Sequence, residues 1–111
     1  MKEADIILAR LPQADGTSKN RPVLILREMP VYRDLLVCGI STQLHQKNEN
    51  FDEIISHEDA DFAVSGLKSS SLIRLSFLNV LTKKDISGKI GSISVERHHR
   101  LLQNLSNYLL K

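Results

Sequence analysis

The sequence predicts a mainly β fold closed by a C-terminal helix, a small and strongly bent sheet or partly open barrel forming one domain over residues 1–111. Four apolar segments of strand length, Ile6 to Leu11, Val23 to Leu26, Leu35 to Thr42 and Leu72 to Leu81, are separated by turn or polar residues. From Val95 the apolar spacing changes to three and four. A chain of 111 residues with 41% hydrophobic content can bury one real core but has no room for a second domain.

Taken in order, the first two strands flank a polar loop from Pro12 to Asn20 that carries Gly16 and is long enough to fold over a groove. The stretch from Leu44 to Gly66 is polar and acid-rich, apart from Glu53-Ile54-Ile55-Ser56 and Phe62-Ala63-Val64, each of which reads as a short edge strand. Lys89 to Ile93 reads as a last short strand, with Gly88 and Gly91 allowing tight turns. The terminal helix begins after Ser94 as N-cap. It places Val95, His98, Leu101, Leu102, Leu105 and Leu109 on one apolar face that packs on the sheet. His98 at the centre of that face reads as a satisfied core histidine, and His99 lies nearer the polar flank.

Composition narrows the function. Fifteen Lys and Arg against thirteen Asp and Glu give a formal charge of +2, no footprint for long nucleic acid, so a phosphate partner must be held locally. Only Phe51, Phe62, Phe77, Tyr32 and Tyr108 are aromatic, which argues against a sheet that stacks a row of bases on exposed rings. Cys38, the single cysteine, lies in an apolar run and reads as a packed thiol rather than a nucleophile. Acidic residues near Met1 replace the apolar segment of a secretory signal, and no stretch has membrane-spanning length, so a soluble, cytoplasmic protein is expected.

The segment richest in chemical information is Lys19-Asn20-Arg21-Pro22 followed by Val23-Leu24-Ile25-Leu26. Pro22 restricts Arg21 to extended backbone angles, which makes the guanidinium a positioned group at the mouth of a buried strand. Its fork of donors suits phosphate; the plain alternative is an edge arginine paired to a carboxylate. Strand alternation puts Gly39 and Ser41 on one face, and Leu72, Arg74 and Ser76 on one face of a later strand, so a cluster of Arg21, Ser41 and Arg74 is geometrically possible.

Along the chain stand Asp5 to Ala9, Gly16 to Leu26 with its glycine loop and Arg-Pro strand, Ile40-Ser41-Thr42-Gln43, Gly66-Leu67-Lys68, Ser71 to Arg74, Ile90 to Ser94 and the leucine helix. In order and spacing these motifs resemble the elements of the MazF/PemK-type toxins of type II toxin–antitoxin pairs, from first strand to closing helix, and the chain resembles that family over nearly its whole length. The resemblance implies an SH3-like barrel, a homodimer, and metal-independent, cofactor-free cleavage of single-stranded RNA. It also implies silencing by a cognate antitoxin protein, with operator DNA bound through that complex. The family's phosphate-stabilising arginine matches Arg21 and its strand-end hydroxyl matches Ser41, with Thr42 the neighbouring candidate should the register differ by one. Arg74 joins them as a second cation, and Lys19, Asn20, Gln43 and Ser76 are the flanking candidates for RNA contact.

Two positions depart from the family. Many members carry aspartate then glutamine where this chain has Ser76-Phe77, and some carry a loop glutamate where it has Ser18-Lys19. A carboxylate acid or base is therefore missing, and a serine has no useful proton affinity near neutral pH. His45, four residues beyond Ser41, is the candidate substitute, since an imidazole's ordinary pKa of ~6.5 suits proton transfer. The rival readings are a catalytically degenerate module that binds RNA or an antitoxin peptide, and a regulatory barrel acting on operator DNA with its antitoxin. His57-Glu58-Asp59-Ala60-Asp61 lacks a metal-ligand spacing and reads as a solvated acidic loop. Arg97 and Arg100 read as ordinary charged surface, as do Lys83 and Lys84, which lie near the end of the Arg74 strand and within reach of RNA phosphates.

Overall fold

Runs such as Ile6-Ile7 and Val23-Leu24-Ile25-Leu26 send apolar side chains to both faces of a strand, so both faces must be covered. The computed structural model describes every residue except Gln13. Its six strands are β1 (Asp5–Pro12), β2 (Ser18–Glu28), β3 (Leu35–Ser41), β4 (Glu53–Ile55), β5 (Ser71–Leu81) and β6 (Ile86–Ser92). They form one antiparallel sheet in the order β4-β5-β3-β2-β1-β6. Register shifts at Ile6/Ile7, Leu8/Ala9, Ile25/Arg27 and Cys38/Gly39 curl the sheet into a half-barrel. On one face Ile6, Leu24, Leu26, Cys38, Ile40, Ile73 and Leu75 pack with Leu101 and Leu105 of helix α2 (Val95–Leu109). The other face gathers Ile7, Ala9, Leu11, Val23, Ile25, Leu35, Val37 and Leu81, strand residues only, which the curl of the sheet encloses. Burial pushes the Cys38 thiol up, with Asp52 adding to the effect, in keeping with an inert packed cysteine. No helix among the described residues is long and apolar enough to cross a membrane.

The bent sheet and terminal helix are as expected, and four local expectations are corrected. The loop expected from Pro12 to Asn20 is shorter, because Ser18, Lys19 and Asn20 extend β2 and pair with Pro12, Leu11 and Arg10; Gln13 of that loop lies outside the described residues. Phe62-Ala63-Val64 is not an edge strand but opens a one-turn helix, α1 (Phe62–Ser65). Gly66 ends α1 in the left-handed region at φ 74°, and a Cβ there would overlap the Ile90 carbonyl of β6, so only glycine lets α1 lie on that strand. The apolar face of α2 is narrower than its spacing suggests, for Val95 and Leu109 are 76% and 68% exposed and only the middle turns meet the sheet. Ser94 caps α2 as expected, its Oγ accepting the Arg97 N–H at 3.1 Å, and His98 Nε2 lies 2.8 Å from the Leu26 carbonyl oxygen.

The fourth correction concerns charge. Arg97 is buried, not surface: its Nε and Nη2 donate to Asp61, Nη2 also to Asp59 at 2.9 Å, and Nη1 to Glu53 at 3.0 Å and to the Ile54 carbonyl. Asp59 and Asp61, expected in a solvated loop, are the anchor of the helix, and Asp61 Oδ2 also accepts the Ser94 N–H at 3.0 Å. Arg100 does lie at the surface, paired to Glu53 at 2.9 Å. A second buried carboxylate, Asp52, accepts the Leu75 N–H through Oδ1 and the Asn48 N–H through Oδ2, both at 2.9 Å.

Burial alone would raise the Asp61 carboxyl, but the hydrogen bonds from Arg97 and Ser94 outweigh it and hold the group below its ordinary value. A carboxyl depressed in the folded state stabilises it above the unfolded pKa of ~3.9, and that contribution is lost as pH falls through the lower folded value. The stability of wild type in urea denaturation is therefore expected to fall below about pH 4, more steeply than that of Asp61→Asn. Arg97→Met, which strands buried carboxylates without their cation, is expected to cost about 3–5 kcal/mol in the same measurement at pH 7. Asp52→Ala removes the acceptor of two backbone N–H groups and is expected to cost about 2–4 kcal/mol.

Candidate functional site

β2 pairs with β3 only from Val23, opposite Gly39, onward. Continuing that register would set Arg21 opposite Ser41, but the strands part there, with Pro22 lacking the N–H a ladder needs. The gap is a cleft of about 320 Å³ lined by Arg21, Pro22, Gly39, Ser41, Arg74 and Phe77, with Leu11, Pro12, Ala14 and Ile40 completing its wall. Arg21 stands opposite Ala9 in β1, and Arg74 stands opposite Gly39 in β3, so both guanidinium groups belong to the same curled face.

Arg21, Ser41 and Arg74, whose clustering strand alternation makes geometrically possible, all line this cleft. Arg74 is half-buried, and its Nε is buried with no hydrogen-bond partner among the described residues. A charged donor left unmatched in that way is costly unless something occupies the cleft. Ser41 Oγ accepts the Gln43 N–H at 3.0 Å, which leaves its hydroxyl proton for donation to a ligand. Two fixed cations and a hydroxyl donor, with neither a carboxylate nor an imidazole among the described lining residues, make the cleft complementary to an anion.

The other candidates lie around or away from this cleft. Thr42 is exposed in the bend after β3, its carbonyl accepting the Leu44 N–H, and Gln43 contributes its backbone to Ser41. His45 sits exposed in a 3-10 turn, Leu44–Gln46, and does not line the cleft. Lys19 is exposed on β2, and Asn20 Oδ1 accepts the Ser87 hydroxyl at 2.7 Å. Ser76 does not share the face of Arg74. The β3–β5 ladder jumps from Gly39–Arg74 to Cys38–Leu78, leaving Leu75, Ser76 and Phe77 unpaired with β3. This irregularity reverses the alternation, so Phe77 turns into the cleft while Ser76 faces a groove beside Phe51 and Tyr108.

Sequence reasoning missed Phe77 and its seat. A Cβ on Gly39 would come 3.0 Å from Phe77 Cδ1, so the ring lies directly on the bare backbone of β3. Glycine in the middle of the apolar run Leu35 to Ile40 was the available signal, since an interior strand glycine marks a bulge or a close approach.

Comparisons with known proteins agree with this architecture. No curated protein matches the sequence. Among solved structures, Mycobacterium tuberculosis toxin MazF-mt6 is similar with a TM-score of 0.69 and 24% identity, over 95% of this chain and 95% of that one. That similarity concerns the fold. The sequence model of the PemK-like, MazF-like toxins of type II toxin–antitoxin systems matches residues 2–109. With nearly the whole chain matched, this protein belongs to the PemK-like, MazF-like toxin family of type II toxin–antitoxin systems.

Proposed function

We propose that the protein is a metal-independent endoribonuclease that cuts single-stranded RNA at the cleft between β2 and β3, as the toxin of a type II pair. The observation that carries this reading is the convergence of Arg21, Arg74 and Ser41 in one open cleft with Arg74 Nε unmatched among the described residues. The 2′-hydroxyl oxygen of a bound nucleotide attacks the adjacent phosphorus; its bond to phosphorus forms as the bond to the 5′-oxygen breaks. The products are a 2′,3′-cyclic phosphate and a 5′-hydroxyl. Negative charge grows on the two non-bridging oxygens, where two guanidinium groups and a hydroxyl donor are already oriented. The described lining holds neither imidazole nor carboxylate, so the 2′-hydroxyl proton leaves to solvent water at the open cleft, and the departing 5′-oxygen takes its proton from the same water; His45, outside the lining, is the candidate imidazole only as a relay through that water. The proposal includes a homodimer, an antitoxin protein as partner, and operator DNA bound through the antitoxin complex.

The absence of a carboxylate or imidazole from the described lining favours a second reading, a module that holds RNA or an antitoxin peptide without cutting. Incubating the protein with a long unstructured RNA in chelator separates the two. Cuts at a short sequence, ending in cyclic phosphate and slowed about 10²–10³-fold by Arg21→Ala or Arg74→Ala, are the expected result. Retention of uncut RNA establishes the binding module, and an Arg74→Ala protein that cuts at the wild-type rate removes Arg74 from the reaction.

A further inference from the structure

Phe77 is an exposed aromatic side chain, 45% accessible, on the wall of a cleft whose other chemistry is cationic. Its position is built rather than incidental. Asp52 takes the Leu75 N–H that the ladder leaves unpaired, the three-residue break turns Phe77 to the side of Arg74, and Gly39 offers the ring a flat seat without a Cβ. The ring belongs to neither buried cluster, whereas Leu75, two residues before it in the same break, is fully buried on the helix side.

We infer that Phe77 is a stacking platform for a nucleobase of the RNA strand, placed beside the Arg21–Arg74 phosphate site. This rests on the RNA reading above and assigns a specificity-bearing residue within it. A single nucleotide carries an anionic phosphate and a planar apolar base a short reach apart, and the cleft offers one surface for each. Every base has a π-face, so the ring contributes affinity for a strand with bases rather than for the phosphate backbone alone.

The chain contains no tryptophan, so Phe77→Trp supplies a unique fluorescent reporter at the site. The probe is a mixed-sequence single-stranded 2′-O-methyl RNA, which cannot undergo 2′-hydroxyl attack, set against an abasic strand with the same number of phosphates. The expected result is quenching of the Phe77→Trp variant's indole emission by the base-bearing strand and not by the abasic one. In parallel, Phe77→Ala should weaken binding of the base-bearing strand about 5- to 150-fold while leaving the abasic strand unaffected. Unchanged affinity in Phe77→Ala, or unmoved indole emission on a strand shown to bind by anisotropy, overturns the inference while leaving the RNA reading intact. If neither strand binds wild type, both fall together. Emission that shifts with protein concentration alone, without RNA, gives the ring to a second copy of the chain and likewise overturns the inference. Because binding is measured without cleavage, a catalytically silent protein still decides the role of Phe77.

Discussion

A buried backbone N–H must find an acceptor, and at Leu75 that acceptor is the Asp52 carboxylate, on which the geometry of the cleft depends. β5 serves two neighbours. Its first residues pair with β4 on one side and β3 on the other, while its last four pair with β3 in a register displaced by the unpaired residues Leu75, Ser76 and Phe77. A displacement of that kind releases N–H groups that water cannot reach, and Asp52, just before β4, is in position to take one of them. Its second oxygen binds the Asn48 N–H and so ties the preceding turn to the same point. Beside this carboxylate, on the β3 side of the same break, Arg74 stands opposite Gly39 and Phe77 turns inward.

A second constraint holds the helix over the sheet. Leu101 and Leu105 supply the apolar contact, but they fix neither the direction nor the axial position of α2. Arg97 does both, because its planar fork meets carboxylates from three segments, Glu53 at β4, Asp59 before α1 and Asp61 at the start of α1. A buried guanidinium placed near a helix N-terminus works against the helix dipole, and three acids more than offset that. Since Asp52 and Arg97's partner Glu53 are adjacent in sequence, one short segment beside β4 bears both the helix anchor and the acceptor of the Leu75 N–H. A surface charge cluster of equal composition would have no such reach, being screened and mobile.

Legibility from sequence tracks how local each signal is. Strand length, alternation and the Ser94 cap are set by residues within a few positions of one another, so the sheet, α2 and the shared face of Gly39 and Ser41 could be read directly. Arg97 and Asp61 are 36 residues apart and Asp52 and Leu75 are 23 apart, and no periodicity within either segment announces the partner. That is why an acidic run looked solvated and a helical arginine looked like surface. The error at Ser76 has the same origin, for alternation is trustworthy only while the ladder is unbroken, and at the break after Arg74 the Leu75 N–H bonds an aspartate far upstream. Extending β2 back to Ser18 was equally hidden, because polar Lys19 and Asn20 gain strand structure from pairing with β1 rather than from their own propensity.

What the cleft can do depends on when its interactions form. Contacts made equally to a bound phosphate and to the pentacovalent state formed during cleavage give affinity without rate; only those that strengthen as charge accumulates accelerate the reaction. Arg21 and Arg74 approach from β2 and β5, on either side of Ser41 at the end of β3, so an anion between them is held by two strands whose spacing the sheet fixes. In the cleavage proposed above, donors held at that spacing would be directed at the point where the non-bridging oxygens gain charge. Arg74 Nε, buried and unmatched among the described residues, carries the cost of that orientation in the folded protein. A phosphodiester already carries one negative charge, and the cleavage proposed above adds to the charge on its non-bridging oxygens, so guanidinium donors are matched more strongly there; that increment is the physical basis on which a site with two arginines and a serine would favour bond-making over mere retention of the strand.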